Sequence, residues 1–115
     1  MAKTLIMLVR VLGLASIVLG TMLWTTGHRP YLAPHIGLGF AVAAVIFAMA
    51  IIAMVRGGVV LGAVALMVAI LLPLVGFLQL PLVFHSMGAI QALHIALALS
   101  AIGVAERMYS AIRRG

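Results

Sequence analysis

The chain has 115 residues, of which 67 % are hydrophobic and only 7 % are charged. A water-soluble domain is roughly half apolar and about a quarter charged, so this composition excludes one. Seven Lys and Arg residues accompany a single acidic residue, Glu106, and no cysteine, which excludes disulfides, thiolate metal sites and a catalytic pair of carboxylates. The composition therefore predicts one integral membrane domain.

Uncharged stretches divide the chain into four predicted transmembrane helices, because a helix needs about 20 apolar residues to cross the bilayer core. Pro34 suits the first turn of the second helix. The uncharged run from 57 to 105 is too long for one span, so we expect it to reverse near Gln79 and Pro81. The predicted helices are 5–26, 34–55, 59–78 and 83–111. Together they form one all-α, up-down-up-down bundle over residues 1–115.

The basic residues predict how the bundle lies in the membrane. Only Arg29 falls on one side, and the other six basic residues fall on the opposite side. The positive-inside rule then places both termini in the cytoplasm and the chain in the inner (plasma) membrane. The basic excess indicates topology and contact with anionic lipid, not nucleic-acid binding. The six are Lys3, Arg10, Arg56, Arg107, Arg113 and Arg114.

The second and fourth predicted helices share a short pattern, His-Ile-small-Leu-small, which begins at His35 and again at His94. This pattern indicates two similar hairpins related about an axis along the membrane normal. Small residues also recur at helical spacing, including Gly13 and Gly20 on the first helix. Such stripes favour either close helix packing or a surface for a flat cofactor.

The four histidines are the main candidates for chemistry, and all lie in the outer half of the predicted bundle. An ionisable side chain inside a span is costly and rarely faces lipid, so His94 is expected to face the bundle interior. His35 begins the second helix. Because helical bundles build cofactor sites from facing helices, and imidazole is an ordinary haem ligand, we expect His35 and His94 to hold one haem b.

Other residues complete this predicted site. Gly39 and Ala98 follow the two histidines by one turn and leave room for a macrocycle, as do Gly13 and Gly20 on the first helix. Arg29, the outer cation, is expected to pair with a haem propionate.

His28 and His85 are weaker candidate ligands. Together with His35 they could instead form an outer Zn²⁺ or Cu²⁺ site, although no carboxylate is at hand to orient such ligands.

The chain resembles the four-helix membrane b-type cytochromes with cytochrome b561-like architecture. The resemblance covers topology along most of the chain and, in specific residues, the segments that begin at His35 and His94 together with the small-residue stripes. It implies electron transfer with a redox partner or with a quinone. A quinone is also a possible second cofactor of this chain. Such cytochromes commonly hold two haems, whereas the inner half of this chain has no histidine. The resemblance therefore implies one haem per chain.

Two axial ligands must lie at matching depth. At 1.5 Å per residue, His94 lies about 18 Å above an inner boundary at Glu106. His35 lies about 31 Å above Arg56. With these boundaries the two histidines would lie at different depths and could not bind one metal. A boundary at Tyr109–Arg113 instead places His94 roughly 22–28 Å up. The sequence leaves both placements open.

Other functions also remain open. A structural subunit of a larger complex, or of a homo-oligomer, would need nothing from the histidines, and His94 would then bond Gln91 or a backbone carbonyl. A small multidrug-resistance transporter is less favoured, because the first helix lacks the carboxylate on which that family relies. Glu106 is expected to pair with Arg10 or Arg107, with proton handling for a quinone as the alternative.

Overall fold

The computed structural model describes residues 1–80 and 88–114. These residues form four α-helices, and a single 3₁₀ turn at Arg29–Tyr31 connects the first two. All four helices are long and apolar enough to cross a membrane, which confirms the predicted all-α fold with four helices of membrane-spanning length. The helices are α1 Ala2–Thr26, α2 Leu32–Val55, α3 Val59–Phe77 and α4 Gly88–Arg114.

The helix boundaries lie close to the predicted ones at most positions. The second helix begins at Leu32, two residues before the predicted start, and so takes Pro34 into its first turn. The last helix continues to Arg114, three residues beyond the predicted end at 111. Its predicted start at 83 and the predicted reversal at Pro81 lie outside the described residues.

Two glycines allow the chain to turn between helices. Gly27 ends α1 in the left-handed conformation, with φ of 63°, and its N–H donates to the Leu23 carbonyl. Gly57 has φ of 89° within the three-residue link between α2 and α3. Because this link is so short, α2 and α3 are packed neighbours.

The four helices are arranged as a bundle with unequal diagonals. The second and fourth helices contact each other across the bundle, whereas no Cα atom of α1 lies within 8 Å of one in α3 over the described ranges. The long axis measures 46 Å, which matches a bilayer of about 40–45 Å with its headgroups. The narrow α2–α4 diagonal and the wide α1–α3 diagonal define the space inside.

The tightest packing lies in the half of the bundle near both termini, which we call the termini end. The largest fully buried side chains there are Ile6, Val9, Ile46, Met49 and Met108.

Polar contacts also join the helices at the termini end. Arg10 Nε donates to Glu106 at 2.7 Å, and Arg10 Nη2 donates to its other carboxylate oxygen at 3.0 Å. Of the two partners expected for Glu106, Arg10 is the one that binds it. Arg56 Nη1 donates to the Ile112 carbonyl at 2.8 Å, which ties the α2–α3 link to the last turn of α4.

Replacement of Gly62 by alanine tests the close approach of α2 and α3. A Cβ atom there would overlap Met54 Cγ and lie 2.8 Å from the Ala50 carbonyl oxygen. We expect Gly62→Ala to lower the free energy of unfolding in detergent by about 1–3 kcal/mol, the usual cost of overpacking. Gly103→Ala, whose added Cβ meets nothing within 4 Å, is the matched control. Equal stability of the two variants would contradict this packing.

Candidate functional site

A cavity of about 750 Å³ occupies the half of the bundle opposite the termini end. This volume lies within the roughly 300–1,000 Å³ typical of small-molecule and cofactor sites. All four helices line the cavity, and most of its wall is apolar. Among residues 1–80 and 88–114, its polar lining consists of Ser16, Thr21, Trp24, Arg29, His35, Gln79, Gln91 and His94.

His35 and His94 meet inside this cavity. Their ring centroids are 6.1 Å apart, and the ring planes are inclined at 76°. The contact between α2 and α4 across the narrow diagonal brings the two side chains together. Because the two rings meet, the depth offset that would have separated the pair does not exist.

The His35 imidazole is held in place by α1. Its Nδ1 lies 2.9 Å from the Ser16 carbonyl oxygen and 3.3 Å from the Ser16 hydroxyl. Because a carbonyl can only accept, Nδ1–H is the donor, and the lone pair then resides on Nε2. Metal-binding histidines are typically oriented by such a hydrogen bond from the nitrogen that does not bind the metal.

The His94 imidazole lacks such an anchor. Its Nδ1 is buried and has no hydrogen-bond partner among residues 1–80 and 88–114. The Leu72 carbonyl comes close to the ring without reaching hydrogen-bond geometry. The expectation that His94 is a packed side chain bonded to Gln91 or to a carbonyl stays open, because the Leu72 backbone carbonyl faces the ring. A buried polar atom without a partner calls for a functional explanation.

Each histidine packs against a glycine on the preceding helix. A Cβ atom at Gly20 would lie 2.8 Å from His35 Cε1, and one at Gly76 would lie 3.1 Å from His94 Cε1. The carbonyls facing the two rings belong to Ser16 and Leu72, each four residues before its glycine. Helices α1 and α2 therefore build their histidine environment in the same way as α3 and α4, as the predicted repeat implies.

The structure gathers most of the predicted site residues around this cavity. Gly13, Gly20, Gly39, Ala98 and Arg29 line it together with the two central histidines.

The two weaker histidine candidates do not lie there. His28 is exposed and packs its ring on Tyr31, with centroids 4.8 Å apart. His85 is outside the described residues, so the alternative three-histidine site falls partly outside them. Over 1–80 and 88–114, no three His, Asp or Glu side chains form a group that could hold a metal ion.

Sequence reasoning missed two residues of the site. Ser16 was not expected to bind His35, although it precedes Gly20 by one helical turn. Gly76 belongs to a stripe of small residues on α3 that the sequence assigned to helix packing or to a flat cofactor, and not to contact with His94. The His-Ile-small-Leu-small repeat was the available signal, because it implies that whatever supports one histidine has a counterpart for the other.

The distance between the two rings is close to that expected for two imidazoles on one metal. A metal–nitrogen bond is about 2.0 Å, and an imidazole nitrogen lies about 1.2 Å from its ring centroid at ordinary bond lengths. Centroids on opposite sides of one metal are then about 6.4 Å apart, close to the observed 6.1 Å. The wide α1–α3 diagonal leaves space beside the pair, and Gly20 and Gly76 let the two rings lie directly against α1 and α3.

No known protein family, curated protein or solved structure matches this chain.

Replacement of Gly20 by alanine tests the anchoring of His35. The added methyl group forces the imidazole away from α1, because it would lie 2.8 Å from Cε1. We expect Gly20→Ala to lower the unfolding free energy by about 1–3 kcal/mol, and ¹⁵N NMR of the imidazole to show loss of the Nδ1–H donor. Gly37→Ala, with nothing within 4 Å, should retain both properties. An intact Nδ1–H signal in Gly20→Ala would disprove the contact.

Proposed function

We propose that this chain is a membrane electron-transfer protein that binds one haem b through His35 and His94. The observation that carries the proposal is the pair of imidazoles 6.1 Å apart inside a cavity of about 750 Å³. Neutral imidazoles are ordinary axial ligands of haem iron. On this proposal, the architecture is that of a minimal cytochrome b561-like protein with a haem near one membrane face.

The residues of the site suit haem b on three counts. The donor set is two imidazoles, and within residues 1–80 and 88–114 the buried His94 Nδ1 has no hydrogen-bond partner. Gly20 and Gly76 let the two imidazoles pack directly against α1 and α3. Haem supplies one-electron chemistry through its ferric and ferrous states.

The chain's own side chains orient and insulate the site. The Ser16 carbonyl fixes the His35 tautomer and increases its basicity as a ligand. The apolar wall excludes water and lowers the local dielectric. Arg29 lies at the rim, where its guanidinium can pair with a carboxylate of the cofactor.

The polar rim also indicates where electrons would enter or leave. Trp24, Arg29 and Gln79 line the cavity near the ends of α1 and α3, away from the termini end. We propose that a quinone or a redox protein exchanges electrons there. Both termini then lie in the cytoplasm and the chain in the plasma membrane, since six of the seven basic residues fall on the terminal side.

An absorption spectrum of the purified protein tests the haem proposal. Material from haem-replete cells should show a Soret band and sharp reduced α and β bands. His94→Ala should abolish them, and His35→Ala should abolish them or leave a high-spin spectrum, because each variant removes one proposed ligand.

His28→Ala is the matched control, because His28 is exposed and does not line the cavity. Its spectrum should equal that of the wild type. A colourless wild-type protein would favour the accessory-subunit function, and proton-coupled uptake in vesicles by a haem-free protein would favour transport.

Single cysteines test the proposed orientation, because the chain has no native cysteine. Thr26→Cys lies at the end of α1, and Ser110→Cys lies near the termini end of α4; both positions are exposed. A membrane-impermeant maleimide should label Thr26→Cys in intact cells and Ser110→Cys only after lysis. The opposite labelling pattern would reverse the topology.

A further inference from the structure

The basic side chains of this protein far outnumber the acidic side chains that could pair with them. The chain has seven Lys and Arg residues and one acidic residue, Glu106. Arg10 already binds both carboxylate oxygens of Glu106, at 2.7 and 3.0 Å. The anions that neutralise the other basic side chains at the termini end must therefore come from the surroundings of the protein.

A notch in the surface of α4 gathers two of these basic side chains. Its volume is about 260 Å³, and it is lined by Tyr109, Ser110, Arg113 and Arg114. Ser110 precedes the two arginines by three and four residues, the spacing that brings side chains onto one face of a helix. Two guanidinium groups and one hydroxyl group therefore border a single notch.

The guanidinium group of Arg113 is positioned by Tyr109. Its central carbon lies 5.6 Å from the centroid of the Tyr109 ring, and Nη1 lies 3.5 Å from the Tyr109 hydroxyl. A cation within about 6 Å of an aromatic centroid is attracted to the face of the ring. Because Tyr109 packs against the buried core while Arg113 is exposed, the guanidinium group is supported from below and accessible from outside.

Arg56 offsets the negative end of the helix dipole beside this notch. The last carbonyl groups of a helix carry partial negative charge and would repel an anion. Arg56 Nη1 donates to the Ile112 carbonyl at 2.8 Å. This contact satisfies one of those carbonyls and adds a positive charge next to the last turn of α4.

We propose that the notch binds the phosphate group of one anionic phospholipid. The planar guanidinium group of Arg113 matches two phosphate oxygens, and Arg114 and the Ser110 hydroxyl supply further donors. The notch lies at the end of a helix of membrane-spanning length, and aromatic rings such as that of Tyr109 are typical of headgroup depth. A lipid headgroup is therefore the source of phosphate at this position. The inference does not depend on haem, because the cavity lies in the opposite half of the bundle.

Native mass spectrometry of the full chain in detergent counts bound lipids and tests this site. We expect phosphatidylglycerol to bind first as a single molecule per chain. Phosphatidylcholine, whose headgroup has no net charge, should not bind at the same concentration. Equal binding of the two lipids, or displacement of phosphatidylglycerol by excess inorganic phosphate, would overturn the lipid assignment.

Charge-matched variants separate a specific site from general attraction to basic residues. Arg113→Gln and Lys3→Gln each remove one positive charge, and Lys3 is exposed and does not line the notch. We expect Arg113→Gln to weaken phosphatidylglycerol binding about 10–100-fold, the loss of a hydrogen bond between charged groups, and Lys3→Gln to leave it unchanged. General attraction would instead weaken both equally, by about 5-fold, and that result would overturn the proposal.

A conservative variant keeps the test decisive if Arg113→Gln disturbs the end of α4. Arg113→Lys keeps the positive charge but loses the planar pair of donors. We expect Arg113→Lys to bind phosphatidylglycerol more weakly than the wild-type protein does. Binding as tight as that of the wild type would refute recognition of the phosphate by the guanidinium group.

Discussion

The contact between His35 and His94 across the narrow diagonal is the constraint on which the half of the bundle opposite the termini end depends. An imidazole inside a membrane span is costly unless it finds a partner, and here two are placed 6.1 Å apart in one apolar cavity. The arrangement needs contact between α2 and α4, space between α1 and α3, and glycine at the two positions that face the rings. All three are present. The cavity therefore lies where the bundle accommodates two half-buried histidines.

One half of the bundle is tightly packed and stabilises the fold, and the other half contains the candidate site. Near the termini, Ile6, Met49 and Met108 are fully buried, and the Arg10–Glu106 pair joins the first and last helices. Small-residue contacts such as that at Gly62 bring the helices close, which matters in a membrane because lipid offers no hydrophobic drive for association. This firmly packed half can hold the helices in place while the opposite half keeps an open cavity.

Much of the fold could be predicted from the sequence, because composition and helix length are nearly sufficient to identify the helices of a membrane protein. The uncharged stretches predicted four helices with errors of a few residues, and the need of Glu106 for a cation predicted its partner. The depth of His94 could not be settled from the sequence, since it depended on whether the membrane boundary was taken at Glu106 or at Tyr109–Arg113. Ser16 and Gly76 were missed for another reason: their roles depend on which helix faces each histidine, a tertiary fact that helical periodicity does not contain.

The central claim is that His35 and His94 bind one haem iron together. Electron paramagnetic resonance of the oxidised protein tests this claim most directly. Protein grown with ¹⁵N-labelled histidine should give a low-spin ferric signal with hyperfine coupling from two imidazole nitrogens, unchanged in His28→Ala. A signal with one coupled imidazole, a high-spin ferric iron, or a protein without haem would contradict the account.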